Sequence, residues 1–125
     1  MRFWHVFNVS AVDIDEQGHV NNVAFVSYVQ DVAVAHWLAE TTTEQQEEYS
    51  WVMLRHEIDY KKQAFEGEEI RAVTWVGEWS KITCERFVEI YRGQDLLVKS
   101  RTVWCLISKK SFKPTRISED LKKLF

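Results

Sequence analysis

Residues 22–39, with the sequence NVAFVSYVQDVAVAHWLA, form the most hydrophobic segment of the chain and contain neither glycine nor proline. The run is far longer than an ordinary β-strand of about five or six residues, so it predicts an α-helix in spite of its five valines. Polar side chains occupy one narrow stripe, made by Ser27, Gln30 and Asp31. Because nearly all of the remaining circumference is apolar, other elements have to enclose the helix.

Aromatic and β-branched runs on both sides of this helix predict β-strands. Residues 2–10 alternate loosely and predict one strand before the helix. Residues 40–50 are polar and acidic and predict a loop with an extra helical turn. Four longer runs follow and predict an antiparallel meander, with turns at Glu66-Gly67, around Ser80 and at Gly93-Gln94.

The order of these elements predicts an α+β fold in which an antiparallel β-sheet wraps around a long central α-helix. A sheet buries a helix that is apolar on most sides by curling around it. Ser118 is a suitable cap for a short closing helix that runs to Leu124. The chain has 125 residues and no internal repeat, which predicts a single domain over residues 1–125.

The charge balance and the hydropathy pattern exclude several classes of protein. Sixteen basic and nineteen acidic side chains give a net charge of -3, which argues against a nucleic-acid binder that neutralises phosphates. The chain has no charge-free apolar run of about 18 to 20 residues and no signal-peptide pattern near its start, so we expect neither export nor contact with a membrane.

Two residue types carry further information. Cys84 and Cys105 are too few for a disulfide framework or a zinc site, so we expect reduced thiols on strands, no metal, and a cytoplasmic protein. Six tryptophans are more large apolar surface than one small core is expected to hide. They indicate a buried subunit interface.

The segment DIDEQGHVNN, residues 13–22, concentrates polar side chains directly before the apolar helix. Asp, Gly and Asn are turn formers, so one interpretation is a purely structural turn. The other interpretation is a functional site, because the loop brings Asp15 near the first free N–H groups of a helix, which polarise a carbonyl. A carboxylate beside such a helix end is suited to acyl transfer, as a general base or as a nucleophile.

Other residues of this segment leave two roles open. Gly18 suits either a turn with positive φ or a close approach of a ligand to the backbone. His19 either contacts a substrate group or orders the loop through hydrogen bonds. Asn21 or Asn22 is a suitable helix cap. Asp13 either perturbs Asp15 by repulsion or is simply solvated.

Strand alternation and helix position give two more expectations. Alternation along VMLRHEIDY places His56 on the same face as Val52, Leu54 and Ile58, which predicts a buried histidine. On the helix, Phe25, Val26 and Val29 are candidates for the wall of an acyl pocket, although residues of this kind more often belong to a plain core.

The segment DIDEQGHVNNVAFVSYVQD resembles the signature of the hotdog-fold thioesterases of the 4-hydroxybenzoyl-CoA thioesterase family. That signature has the form Asp-x-Asp-x-x-Gly-His-Val-Asn-Asn, usually with a tyrosine three residues later. Residues 58–70 resemble the family's second strand and hairpin, and residues 100–108 resemble its last strand. The resemblance thus covers nearly the whole chain.

The resemblance implies roles for individual residues. Asp15 falls at the position of the catalytic carboxylate, and the backbone N–H of Asn22 falls where the thioester carbonyl is polarised. The remaining motif positions are the expected substrate-binding residues: Gly18, His19, Asn21 and Phe25. Phe25 stands in place of the family's tyrosine, so any hydrogen bond of that hydroxyl is missing here.

The resemblance also implies an activity, namely hydrolysis of an acyl-CoA or acyl carrier protein thioester to a free acid and a thiol. Coenzyme A is then part of the substrate, and no other cofactor is expected. A homodimer with sheets joined edge to edge, or a homotetramer, is implied as well. The alternatives are a non-catalytic acyl-CoA binding module, and a dehydratase in which His19 is essential. Acyl chain length and carrier stay open.

Overall fold

The structure is a computed structural model that describes residues 1–125. Its elements follow in this order: β1 (Phe3–Asn8), α1 (Asn22–Glu40), α2 (Thr43–Glu48), β2 (Tyr49–Tyr60), β3 (Glu69–Trp79), β4 (Thr83–Arg92), β5 (Asp95–Ser108) and α3 (Glu119–Lys122). A short 3-10 turn at Ala11–Asp13 separates β1 from the polar loop.

The five strands form one antiparallel sheet in the order β1-β3-β4-β5-β2. β1 and β2 are therefore the two edge strands, and α1 lies in the connection between them. The predicted meander holds for β3, β4 and β5 but is wrong for β2, which pairs with β5 instead of β3. A chain that leaves one edge and re-enters at the other must carry its connection across a face of the sheet. This topology lays α1 over the strands, and the predicted α+β fold with an antiparallel sheet around a central helix is confirmed.

Side-chain caps set the bounds of the helices. Asn21 caps α1, since its Oδ1 accepts a hydrogen bond of 2.7 Å from the Ala24 amide. α2 begins with a capping box in which Thr42 and Gln45 each bond to the other's backbone amide. The predicted extra turn is thus a separate six-residue helix. None of the helices is long and apolar enough to cross a membrane.

One face of α1 lies in the core and the opposite face does not. The buried face packs into the main hydrophobic cluster through Phe25, Tyr28, Val29 and Val32. On the other side Val23 is 75 % exposed, and Val34 and Leu38 are also exposed. A single five-stranded sheet covers only one side of a helix, so the enclosure expected from the apolar sequence is incomplete within one chain.

A bulge in β2 changes which of its side chains face inward. The pairing of β2 with β5 shifts register between Met53 and Arg55, and the extra residue reverses the alternation. Val52 and Leu54 are exposed, whereas His56 and Ile58 are partly buried. The prediction that His56 shares a face with Val52 and Leu54 is therefore wrong. His56 Nε2 lies 2.9 Å from Ser100 Oγ.

A buried polar cluster lies beside the second half of α1. Arg86 Nη1 donates to His36 Nδ1 at 2.9 Å and to Thr74 Oγ1 at 3.0 Å. A guanidinium only donates, so Nδ1 of His36 is the unprotonated nitrogen and Nε2 carries the hydrogen. The Nε2 atom is buried and has no partner. Burial, and next the charge of Arg86, lower the pKa of His36 to about 4.

Substituting the helix cap should destabilise the fold without touching the core. We expect Asn21→Ala to lower the free energy of unfolding by about 1 kcal/mol, because the Ala24 amide loses its acceptor. Urea unfolding followed by circular dichroism measures this. Asn22→Ala is the matched control, since the exposed Asn22 side chain accepts no capping bond. Equal effects of the two substitutions would contradict the assignment of the cap.

The buried His36 should make stability depend on pH. Its pKa is about 4 in the fold against 6.5 ordinarily, so between these values the unfolded chain binds the proton more readily. The stabilising contribution is present above about pH 6.5 and is lost as the pH falls to about 4, in total about 3 kcal/mol. Urea unfolding at several pH values measures it. His36→Gln keeps an acceptor for Arg86 and should flatten this slope, and an unchanged slope would contradict the prediction.

Candidate active site

The polar loop before α1 is a tight reversal of the chain. The Asp15 amide donates to the His19 carbonyl at 3.0 Å, and the Gly18 amide donates to the Asp15 carbonyl at 3.0 Å. Gly18 has φ +85°, and a Cβ there would meet no atom within 4 Å. Within the chain, the positive φ rather than a close contact accounts for glycine at this position.

Two backbone bonds fasten the loop to its surroundings. The Asn21 amide donates to the Asp13 carbonyl at 3.0 Å, which joins the start of the loop to the residue that caps α1. The Val20 amide donates to the carbonyl of the fully buried Ala64 at 2.8 Å. The loop therefore keeps its position relative to the helix start because both the helix cap and the β2–β3 connection hold it.

Asp13 has a structural partner that the sequence did not indicate. The Tyr28 hydroxyl, one helix turn after Phe25 on the buried face of α1, donates to Asp13 Oδ2 at 2.6 Å. Burial, and next this hydrogen bond, raise the pKa of the Tyr28 phenol above its ordinary value, so the hydroxyl keeps its proton. Asp13 thus anchors the loop to the helix and is not simply solvated.

Asp15 presents a carboxylate without a permanent cationic partner. Its Oδ1 accepts a hydrogen bond of 2.9 Å from the Gln17 amide, and its Oδ2 lies 3.8 Å from His19 Nδ1. No Lys or Arg nitrogen lies within 4.0 Å of it, and the side chain is 31 % exposed. One oxygen is held in place by the loop, while the other accepts no hydrogen bond from the chain.

His19 is bonded within the loop at both ring nitrogens. Nδ1 lies 3.2 Å from the Val20 carbonyl, which can only accept, so this nitrogen carries a hydrogen. Nε2 lies 2.9 Å from the Gln17 side-chain amide, whose NH2 group can donate to it once the amide oxygen and nitrogen are exchanged. These contacts account for His19 as a residue that orders the loop, which is one of the two roles that its position suggested.

The start of α1 offers free hydrogen-bond donors. The Asn21 side chain satisfies the Ala24 amide, but the amides of Asn22 and Val23 donate to no other group in the chain. Both lie at the positive end of the dipole of a 19-residue helix. The Tyr60 hydroxyl donates to the Asn22 carbonyl at 3.3 Å, which links the end of β2 to the same turn.

Phe25 packs into the hydrophobic core beneath the first turn of α1 and does not face the solvent. It is 2 % exposed, and its ring contacts those of Tyr28 and Tyr60, with centroids 5.8 and 6.1 Å away. Val29, another expected pocket residue, is fully buried in the same cluster. The structure therefore brings Asp15, Gly18, His19, Asn21 and Asn22 together in one loop and helix start, and it places Phe25 in the adjoining core.

The residues that sequence reasoning missed come from distant segments. Ala64 and Tyr60 reach the site from the β2 end of the fold, and Tyr28 reaches it from the second turn of α1. Of these three residues, only Tyr28 could have been predicted from the sequence to lie on the buried side of α1, because it follows Ala24 by four residues. The other two depend on tertiary contacts.

Solved structures of similar shape include enzymes that act on thioesters of coenzyme A. The 1,4-dihydroxy-2-naphthoyl-CoA thioesterase Slr0204 from Synechocystis is 16 % identical and has a TM-score of 0.86 over 99 % of this chain and 95 % of its own. The probable thioesterase YbaW from Escherichia coli is 13 % identical, with a TM-score of 0.82 over 97 % and 94 %. At these identities the likeness confirms the hotdog fold.

A third solved structure carries a ligand. The hypothetical protein SAV2348 from Staphylococcus aureus, determined in complex with CoA, is 12 % identical and has a TM-score of 0.87 over 99 % of this chain and 81 % of its own. No curated protein sequence matches the chain significantly. The family model of the thioesterase-like superfamily, however, matches residues 9–125, which include the whole polar loop and every strand after it. This chain belongs to the thioesterase-like superfamily.

Proposed function

We propose that this protein hydrolyses acyl-CoA thioesters to a free acid and coenzyme A, with Asp15 as the reacting carboxylate. Two neighbouring features carry this proposal. The Asp15 carboxylate has no Lys or Arg partner, and the amides of Asn22 and Val23 at the start of α1 are unpaired. A carboxylate with a fixed cation would be less basic, and amides with internal acceptors could not bind a substrate carbonyl.

In the proposed reaction the thioester carbonyl oxygen accepts a hydrogen bond from the Asn22 amide. This bond and the positive end of α1 stabilise the negative charge that develops on the oxygen during attack. With Asp15 as base, water adds to the carbonyl carbon and its proton passes to the carboxylate. The carbon–sulfur bond then breaks, and the departing thiolate takes up the proton.

With Asp15 as nucleophile, the carboxylate itself adds to the carbonyl carbon. The thiolate leaves, a mixed anhydride forms, and water hydrolyses the anhydride to the free acid and Asp15. Both routes need one unblocked carboxylate oxygen, and Oδ2 provides it because the Gln17 amide bonds to Oδ1.

Two features of similar structures support coenzyme A as the carrier. One is described as a thioesterase for an aromatic acyl-CoA, and another was determined in complex with CoA. A thioester on an acyl carrier protein is the alternative carrier, and hydrolysis of the same acyl group on both carriers compares them directly.

The proposed assembly is a homodimer, or a pair of such dimers. β2 is an edge strand that pairs only with β5, and it exposes Val52, Leu54 and Tyr60. A long edge strand with exposed apolar side chains is a surface that proteins usually pair or cover. The buried free thiols of Cys84 and Cys105 suit the proposed cytoplasmic location.

Removing the Asp15 carboxylate should abolish hydrolysis and leave the fold intact. We expect Asp15→Asn to lower kcat/KM for acyl-CoA substrates by about 100-fold or more, because a general base contributes 10²–10⁴-fold. The amide oxygen of Asn can still accept from the Gln17 amide, so the loop should persist. Release of the coenzyme A thiol from short, long and aromatic acyl-CoAs measures the effect.

The matched control is Glu16→Gln, which removes a neighbouring exposed carboxylate with no bond in the loop. It should keep wild-type activity. Full activity in Asp15→Asn would remove the proposed mechanism. A wild-type protein that binds acyl-CoA for hours and releases no thiol would instead identify a binding module.

Heavy-oxygen water tests the two roles of Asp15 in a single turnover. If Asp15 is the base, all of the label should appear in the product acid. Label in the Asp15 carboxylate, read by mass spectrometry of the peptide that contains it, requires water to attack the Asp15 carbonyl of an anhydride. That result would exclude a base-only role.

A further inference from the structure

An aromatic cavity lies at the end of α1 opposite to Asp15. It has a volume of about 240 Å³, and nine of its thirteen lining residues are hydrophobic. Its walls are largely aromatic, formed by Trp37, Trp51, Trp79, Trp104, Tyr49 and Phe125. The lining part of α1, from Ala33 to Trp37, is roughly 20 Å along the helix from Asn22. The cavity is therefore separate from the polar loop.

A buried cation faces this cavity. Arg86 is only 8 % exposed and lines the cavity, and only its Nη1 atom has partners within the chain, His36 and Thr74. Nε and Nη2 of Arg86 donate no hydrogen bond to any group of the chain. Because Arg86 lines the cavity, these unpaired N–H groups are the donors available to a ligand there.

No acidic side chain lies within salt-bridge distance of Arg86. The residues that line the cavity include two cations, Arg86 and Lys109, but no Asp or Glu. Lys109 donates to the Gln46 carbonyl. Burial lowers the pKa of the Arg86 guanidinium to about 10, so it stays charged at neutral pH. The neutral His36 supplies an acceptor but no negative charge.

A buried charge without an anionic partner destabilises the folded protein. The contact of the guanidinium carbon with the Phe125 ring, 5.8 Å from its centroid, offsets only a small part of this cost. An anion in the cavity would offset much more. Because the free N–H groups belong to one planar guanidinium, they match the two oxygens of a carboxylate.

We propose that this cavity binds a small aromatic monocarboxylate, with the carboxylate on the free N–H groups of Arg86 and the ring between the tryptophans. The volume is below the 300–1,000 Å³ typical of drug-sized ligands, so it suits a molecule of one or two rings rather than coenzyme A. The aromatic walls favour a ring that stacks or packs edge to face. This proposal does not depend on the proposed hydrolysis at Asp15.

Calorimetry with matched ligand pairs tests the proposal. Benzoate and 2-naphthoate are compared with benzamide and 2-naphthamide, which have the same rings and no charge. We expect the wild-type protein to bind at least one acid roughly tenfold or more tightly than its amide, because a charge-assisted hydrogen bond distinguishes them. Equal affinity for acid and amide, or no binding of either acid at millimolar concentration, would overturn the proposal.

Two variants assign the binding to this cavity. Arg86→Gln should bring the ratio of acid to amide affinity close to one, whereas Arg116→Gln, at an exposed arginine outside the cavity, should leave the ratio unchanged. If Arg86→Gln does not fold, Val34→Trp fills the cavity from an exposed helix position and should abolish binding of both ligands. An unaltered ratio in Arg86→Gln, or unaltered binding in Val34→Trp, would overturn the assignment.

Asp15→Asn separates this site from the proposed active site. Binding of the acid should be the same in Asp15→Asn as in the wild type, because the cavity lies at the other end of α1. Loss of binding in Asp15→Asn with retention in Arg86→Gln would place the acid at the polar loop and contradict the cavity site. If the wild-type protein hydrolyses no thioester, the calorimetric comparison of acid and amide still tests the cavity site.

Discussion

The bond pattern of Asn21 is the constraint on which the rest of the site depends. Its side chain accepts from the Ala24 amide and so begins α1, while its own amide donates to the Asp13 carbonyl and so holds the polar loop. One residue thus joins a carboxylate-bearing loop to a helix start. Because the cap satisfies Ala24 and leaves the Asn22 and Val23 amides free, the helix is stable and its positive end stays open to a ligand.

The two ends of α1 carry charged groups of opposite sign, the Asp15 carboxylate at its start and the Arg86 guanidinium beside its second half. At its start, backbone donors and a carboxylate lie in a partly exposed loop, which is the proposed site of thioester hydrolysis. Beside its second half, Arg86 lies buried with unpaired donors, and no Asp or Glu side chain lines the cavity that it faces. The first arrangement suits a reaction that develops negative charge, and the second suits a ligand that already carries it. The aromatic surplus that the composition indicated lies largely around this second site.

Most of the polar loop could be predicted from the sequence because its geometry is local. Gly18 adopts positive φ, Asn21 caps the helix, and Asp15 lies in the turn between them, all within ten residues. The errors came where one residue changes a pattern or where the partner is distant. The bulge after Met53 reversed the face of His56, and Asp13 has its partner fifteen residues away in Tyr28.

The sequence by itself determined the long apolar helix, the strands around it and the polar loop at its start, since hydrophobic period, capping residues and turn formers act over a few positions. Only the tertiary structure decided the strand order β1-β3-β4-β5-β2, the exposed outer face of α1 and the meeting of Arg86 with His36, fifty residues apart. Those features depend on which distant surfaces bury one another. No local sequence pattern predicts that Arg86 on β4 has no salt-bridge partner, because the packing of the whole chain determines which side chains surround it.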